Sequence, residues 1–261
     1  MDALFRKHDR LLANTSMKII REKMNQIHWN ARIVSIMGPK GVGKSTLIKQ
    51  YIKQNFQPGD RTVLYCSADT VDFSTRTLVG LAEEFHIHGG ELLAIDEIHK
   101  YKPGTLERSR EVKEIYELFP PLNLIVSGSS LLQLREGDAD LSRRAIKYTM
   151  PGLSFREALK FYHGMDFPKW KLEDMLSRPY ELWEMVISKC KPIVLFKEYL
   201  EKGYYPFLLE GDGEYYTRIE QVVNYIIETE LPQICSVDVS NIRKIQALVK
   251  LIAEEVPFEL N

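Results

Sequence analysis

Gly38-Pro39-Lys40-Gly41-Val42-Gly43-Lys44-Ser45-Thr46 decides how this chain is read. It has the spacing G-x-x-x-x-G-K-[ST] of a phosphate-binding loop, the P-loop. An apolar run, Ile33-Val34-Ser35-Ile36-Met37, precedes it, and a helical pattern from Thr46 to Ile52 follows. That strand–loop–helix setting gives the motif its meaning. The glycines let the backbone curl so that successive N–H groups can face an anion. The helix behind them adds its positive N-terminal end. In such a loop Lys44 would lie along the β- and γ-phosphates of a nucleotide, and the Ser45 hydroxyl would ligate Mg²⁺.

Outward from the loop the chain alternates strand and helix. Strands are expected at 33–37, 62–66, 91–95, 122–126 and 145–150, from short apolar, β-branched runs bounded by turn residues. Helices are expected at 44–55, 75–86 and 107–118. This alternation predicts an α/β fold: a three-layer P-loop NTPase core with a five-stranded parallel sheet. After Pro151-Gly152 the strand signal ends. Ser154-Phe155-Arg156-Glu157 is a capping box, and helical patterns follow at 179–189, 192–202, 214–229 and 240–255. The expected organisation is an N-terminal helical segment (1–30) packed on the core, the core (31–151), and a small all-helical lid domain (152–232). Residues 233–261 are expected to begin a further helical part, with the apolar stripe Ile242, Ile245, Leu248, Val249 and Ile252 needing cover.

Composition narrows the function class. The 261 residues carry a net charge of −1, with 44% hydrophobic and 27% charged residues, the balance of a globular protein with no global nucleic-acid signal. The basic residues of 1–30, among them Arg6, Lys7, Arg10, Lys18, Arg21 and Lys23, read as a solvated helix face. Cys66, Cys190 and Cys235 are far apart and odd in number, which suggests reduced thiols and a cytoplasmic location. No apolar run approaches the roughly 20 residues of a membrane helix. His86, His88 and His99 do not make a metal set, because only the first two are close and no cysteine or second pair completes them.

Three further signals carry chemistry. Leu92-Leu93-Ala94-Ile95 runs into Asp96-Glu97, the Walker B pattern, in which a buried strand delivers acids to its C-terminal edge. Asp96 would hold Mg²⁺ through water, and Glu97 would orient and polarise an attacking water. Ser127-Gly128-Ser129-Ser130 ends the fourth strand, which in this architecture lies between the strands bearing the P-loop and Asp96. Ser127 is the first candidate for sensing the γ-phosphate, and Ser129 the next. Asp140-Leu141-Ser142-Arg143-Arg144 precedes the fifth strand. There Arg144, in preference to Arg143, could act as an arginine finger on a neighbouring subunit, or could simply pair with Asp138 or Asp140. Tyr65, Trp29 and Tyr204-Tyr205 read as packing residues rather than nucleotide stackers.

These stretches, with Leu64–Asp69, Ile95–Tyr101, Gly152–Glu157 and Glu198–Pro206, resemble the bacterial and archaeal AAA-family ATPases of the AAA+ superfamily. Such proteins join a P-loop core to a helical lid and a C-terminal winged-helix-like domain. The resemblance implies ATP and Mg²⁺ binding at Lys44, Ser45 and Asp96, with Glu97 as catalytic base. It also implies Arg144 as the arginine before the fifth strand, and a winged-helix-like part truncated at 233–261. The segment Lys102–Arg110 departs from the family, which carries a tryptophan and a short loop there. The expected function is ATP hydrolysis coupled to lid movement. Self-association would run through Arg144, and a DNA or protein partner would engage the C-terminal part. Two alternatives stand beside it. One is a nucleotide-gated switch for DNA or protein binding with little turnover. The other is a helicase of the D-E-x-H type, spelled by Asp96-Glu97-Ile98-His99, although such enzymes need two tandem cores and this chain has length for one.

Overall fold

The structure, a computed structural model, describes residues 1–101, 105–129, 143–232 and 237–254. Part of the 102–110 segment, Asp140–Ser142, Cys235 and the C-terminal end lie outside the described residues.

Five parallel strands form one sheet in the order β2-β3-β4-β1-β5. They are β1 Ile33–Met37, β2 Val63–Ser67, β3 Leu92–Asp96, β4 Asn123–Gly128 and β5 Ile146–Thr149. The order places β4 between the strands carrying the P-loop and the Asp96-Glu97 pair, as the sequence implied. Helices cover both faces, so β1 to β4 read as nearly continuous apolar runs. Alternate residues still choose sides. Ile33, Met37, Leu64, Cys66, Leu93, Ile95, Leu124 and Val126 join one core, with α3 (Leu78–Ile87) and α4 (Thr105–Leu118). Val34, Ile36, Val63, Tyr65, Leu92, Ala94 and Ile125 join the other, with Leu47, Ile48 and Ile52 of α2 (Lys44–Asn55). Cys66 is fully enclosed, and burial, followed by the charges of Asp96 and Asp72, pushes its thiol up to about 12.

The N-terminal helix α1 (Asp2–Ala13) lies along the outer strand β2. His8 is buried and its Nδ1 accepts the Tyr65 N–H at 2.8 Å, so the helix occupies a donor that an edge strand would otherwise expose. Burial lowers the His8 pKa, consistent with a neutral imidazole acting as acceptor. After α1 the helical segment expected over 1–30 adds only a 3₁₀ turn, Glu22–Gln26. Arg21, read from sequence as part of a solvated face, is instead 7% exposed.

Beyond β5 every described element is helical: α5 Phe155–His163, α6 Leu172–Ser177, α7 Pro179–Ile187, α8 Pro192–Lys202, α9 Tyr215–Tyr225 and α10 Ile242–Glu254. The Ser154/Glu157 capping box is present at the start of α5. The stretch expected as one helix over 214–229 is α9 followed by a π-helical turn, Ile226–Glu230. Pro232 supplies a cause, because its ring cannot coexist with an α-helical carbonyl four residues earlier. Among the described residues no helix is long and apolar enough to cross a membrane.

Candidate functional site

The P-loop leaves β1 at Gly38, where space is tightest. A Cβ there would sit 2.2 Å from the Met150 carbonyl oxygen. The Gly38 N–H reaches Gly128 O at 3.3 Å, and Met150 N reaches Met37 O at 2.7 Å. The loop therefore starts wedged between the ends of β4 and β5. Gly41 and Gly43 take positive φ, 84° and 95°, a region that only glycine enters without strain. Gly43 is the N-cap of α2 and has no side chain to cap it. Among the described residues the amides of Val42, Gly43 and Lys44 have no acceptor. A helix start with uncapped amides suits an anion.

Lys44 opens α2 and is buried. Its Nζ donates to Gly38 O at 2.8 Å and Pro39 O at 2.9 Å. Burial lowers its pKa, against the raising effect of Glu97, Asp96 and Glu230. Beside the loop lies a cavity of about 550 Å³, lined by Gly41–Thr46, Glu97, Ser16, Ile19, Phe207 and Leu209 among others. Phe207 stacks on Tyr205 and comes within 3.2 Å of a Cβ built at Gly41. These rings pack on the loop itself, as the packing reading of Tyr205 expected. Tyr204 packs across Gly152 in the same way.

Asp96 ends β3 on the α2 side of the sheet and is 4% exposed. The Tyr65 hydroxyl donates to its Oδ2 at 2.6 Å, and the Ser127 hydroxyl donates to its Oδ1. The Ser45 side chain lies near enough to the Tyr65 hydroxyl to work against that hydroxyl's raised pKa, so the tyrosine stands beside both residues expected at the metal. Burial, then the Asp96 charge and hydrogen bond, raises the Tyr65 pKa far above the tyrosine range, so it remains a donor. An all-oxygen set of one carboxylate and one hydroxyl, beside an open cavity, fits a hydrated Mg²⁺, which keeps most of its waters. Ser127 lies inside β4 rather than beyond it and is fully buried. Besides bonding Asp96, its Oγ accepts the Glu97 N–H at 3.3 Å.

Glu97 has φ 53° and ψ 40°, and no other non-glycine residue among those described has positive φ. The left-handed turn ends β3 and starts the 3₁₀ turn Ile98–Lys100, held by Lys100 N to Glu97 O at 2.8 Å. Such a conformation costs about 1–2 kcal/mol and persists only where neighbours fix it. Burial raises the pKa of Glu97. His99 and Lys44 oppose this, while Asp96 and Glu230 add to it. His99 Nε2 lies 3.2 Å from Glu97 Oε2 and 3.5 Å from Glu230 Oε1, between the two carboxylates but well aligned with neither.

Arg144 stands apart from this cluster. It precedes β5, whose Ile146 pairs with Val34 near the start of β1, so Arg144 lies towards the sheet edge opposite the loop. Its guanidinium bonds Glu117 Oε1 at 2.9 Å; Asp138 and Asp140, weighed as its partners from sequence, lie outside the described residues.

Arg21, Glu157, Glu230 and His99 were missed in the sequence. Arg21 Nε donates to Glu157 Oε1 at 2.7 Å, and its Nη1 to the P-loop carbonyl of Val42 at 2.8 Å. Its Nη2 reaches Pro151 O at 3.1 Å and Gly152 O at 2.8 Å. The guanidinium fork joins the N-terminal segment, the loop, the connection after β5 and the first turn of α5. Only Glu157 carried a signal, as the N3 residue of a capping box.

Residues 30–159 match a family model described as an AAA domain. Over these residues the chain is an AAA domain. No curated protein matches the sequence. Similar solved structures include the replication initiator DnaA bound to AMPPCP and single-stranded DNA, at 16% identity and TM-score 0.41, covering 97% of this chain and 69% of that one. AMPPCP-bound DnaA from Aquifex aeolicus shares 15% identity at TM-score 0.38, covering 90% of this chain and 86% of that one. The S. cerevisiae Hsp104–ADP complex shares 16% identity at TM-score 0.39, covering 97% of this chain and 34% of that one.

Proposed function

We propose that this chain binds ATP with Mg²⁺ at the P-loop and hydrolyses it to ADP and phosphate. The observation that carries the reading is the convergence of Lys44, Ser45, Asp96 and Glu97 beside the cavity at the loop. The polyphosphate would lie along the amides of Gly41–Thr46, with the base between Ile19, Phe207 and Leu209. Lys44 would exchange its bonds to Gly38 and Pro39 for phosphate oxygens. Ser45 and Asp96 would hold Mg²⁺, which neutralises charge on the phosphates as it builds. Glu97 would take a proton from water as the water attacks the γ-phosphorus. Its burial-raised pKa makes it a stronger base than an exposed glutamate. Ser127 and Tyr65 would keep Asp96 in place. Arg144 would act only in trans, after leaving Glu117, and the lid helices would move with nucleotide state.

Calorimetry on Lys44→Ala tests this directly. ATP binding should be lost or weakened at least tenfold, and unchanged affinity would remove the basis for the P-loop assignment. A second reading, a switch with little turnover, is favoured by the pairing of Glu97 with His99. It is preferred if wild type and Glu97→Gln bind ATP tightly and release phosphate equally slowly.

A further inference from the structure

Glu230 reaches the phosphate side of the site from outside the sheet. It ends the π turn Ile226–Glu230 and is 2% exposed. Its Oε2 accepts the Ser129 hydroxyl at 2.8 Å, and its Oε1 faces His99 Nε2 at 3.5 Å. Burial works against its charge, but the nearby His99, the Ser129 hydroxyl bond and Lys100 outweigh that and hold its pKa below the usual glutamate value.

The π turn makes this contact possible. In an α-helix, Tyr225 and Glu230 would point about 140° apart, whereas i→i+5 bonding brings residues five apart onto one face. Leu231 N bonds Ile226 O in that pattern. Both residues then meet the core. The Tyr225 ring takes the P-loop cation Lys40 at 3.5 Å and Lys100 at 4.9 Å, and Ile227 between them is buried. On the same turn, Glu228 accepts from Gln246 of α10 at 2.9 Å.

Lys44 thus sits in the field of three carboxylates, Asp96, Glu97 and Glu230. The first two are fixed by β3. The third is carried by a helix outside the sheet and is the one able to leave. A γ-phosphate at Lys44 would bring negative charge against Glu230, whereas a diphosphate would not reach as far.

We propose that Glu230 is a latch. It holds the Tyr225–Glu230 turn closed on Ser129 and His99 until a γ-phosphate expels it, and the Glu228–Gln246 bond carries that release to α10. The proposal rests on the reading of the loop as an ATP site. It gives the chain a way to tell ATP from ADP at a helix rather than at the sheet.

The test uses the full chain with AMPPNP and ADP. Amide hydrogen exchange across 222–232 should rise with AMPPNP and not with ADP. Glu230→Gln should bind AMPPNP about tenfold tighter than wild type, with ADP affinity unchanged within about twofold. It should also show the faster exchange without nucleotide. Affinities that rise together or not at all, or exchange indifferent to AMPPNP, overturn the latch. The wild-type exchange comparison decides the matter if the variant does not fold. Wild type that binds neither nucleotide overturns the ATP reading and the latch with it; wild type that binds both without the exchange difference overturns the latch alone.

Discussion

Replacing Arg21 by Met removes the guanidinium and keeps an apolar stem of similar reach. Glu157, 5% exposed, would keep bonds from Ser154 and from the Glu22 amide but lose its counter-charge. The carbonyls of Val42, Pro151 and Gly152 would lose a donor. Breaking a buried ion pair from one side costs about 3–5 kcal/mol. In a protein this size, at about 2 °C per kcal/mol, that lowers the melting temperature by about 6–10 °C, read by circular dichroism. Adding Glu157→Gln to Arg21→Met should recover part of the loss, with a coupling of about 1–3 kcal/mol in the double-mutant cycle. The pH dependence has a definite sign. Burial would raise the Glu157 pKa, but the bonds and charge of Arg21, with the Ser154 and Glu22 amides, outweigh that and set it below 4.5. Its stabilising contribution is therefore complete above the unfolded value of about 4.5 and is lost as pH falls through the lowered folded value. Arg21→Met should flatten that acid limb. A variant melting within about 2 °C of wild type, or an additive cycle, would refute the clamp.

Glu97→Gln should retain ATP while phosphate release slows by about 10²–10⁴, the range for a lost general base; release at the wild-type rate would reassign the base. Gly38→Ala places a methyl 2.2 Å from the Met150 oxygen. It should cost about 1–3 kcal/mol of stability and weaken nucleotide binding, whereas wild-type melting would mean the strand ends give way freely. Arg144→Ala mixed with Glu97→Gln should regain phosphate release if the arginine acts across subunits. Mixed oligomers without recovery would leave Arg144 as the partner of Glu117.

The sheet was legible because its signals are local. β1 spans 33–37 as read, and β3 is one residue off, since short apolar runs and turn residues within a few positions determine both. Strand order followed from two motifs on separate strands. Ser127 was placed just past a strand that in fact runs to Gly128, because pairing of Met37 with Gly128 extends β4 beyond its apolar residues. The clamp and the latch stayed hidden for another reason. Arg21 looks like any arginine in a basic stretch until Glu157, 136 residues away, and three backbone carbonyls surround it. Glu230 is one acid in a helical pattern, and only the shift to π geometry before Pro232 turns it inward. Partners so far apart in sequence leave no periodicity to read.

Cys66 gives the sheet its own stopwatch. Only a thiolate attacks an alkylating reagent, and a thiol held near 12 in a closed core supplies almost none at neutral pH. Cys190 is half-exposed and offers an internal reference for reagent strength. Modification of Cys66 would therefore count the moments when β2 parts from its neighbours. Slowing of that count by nucleotide would convert occupancy of the loop into a measured stiffening of the strands beside it.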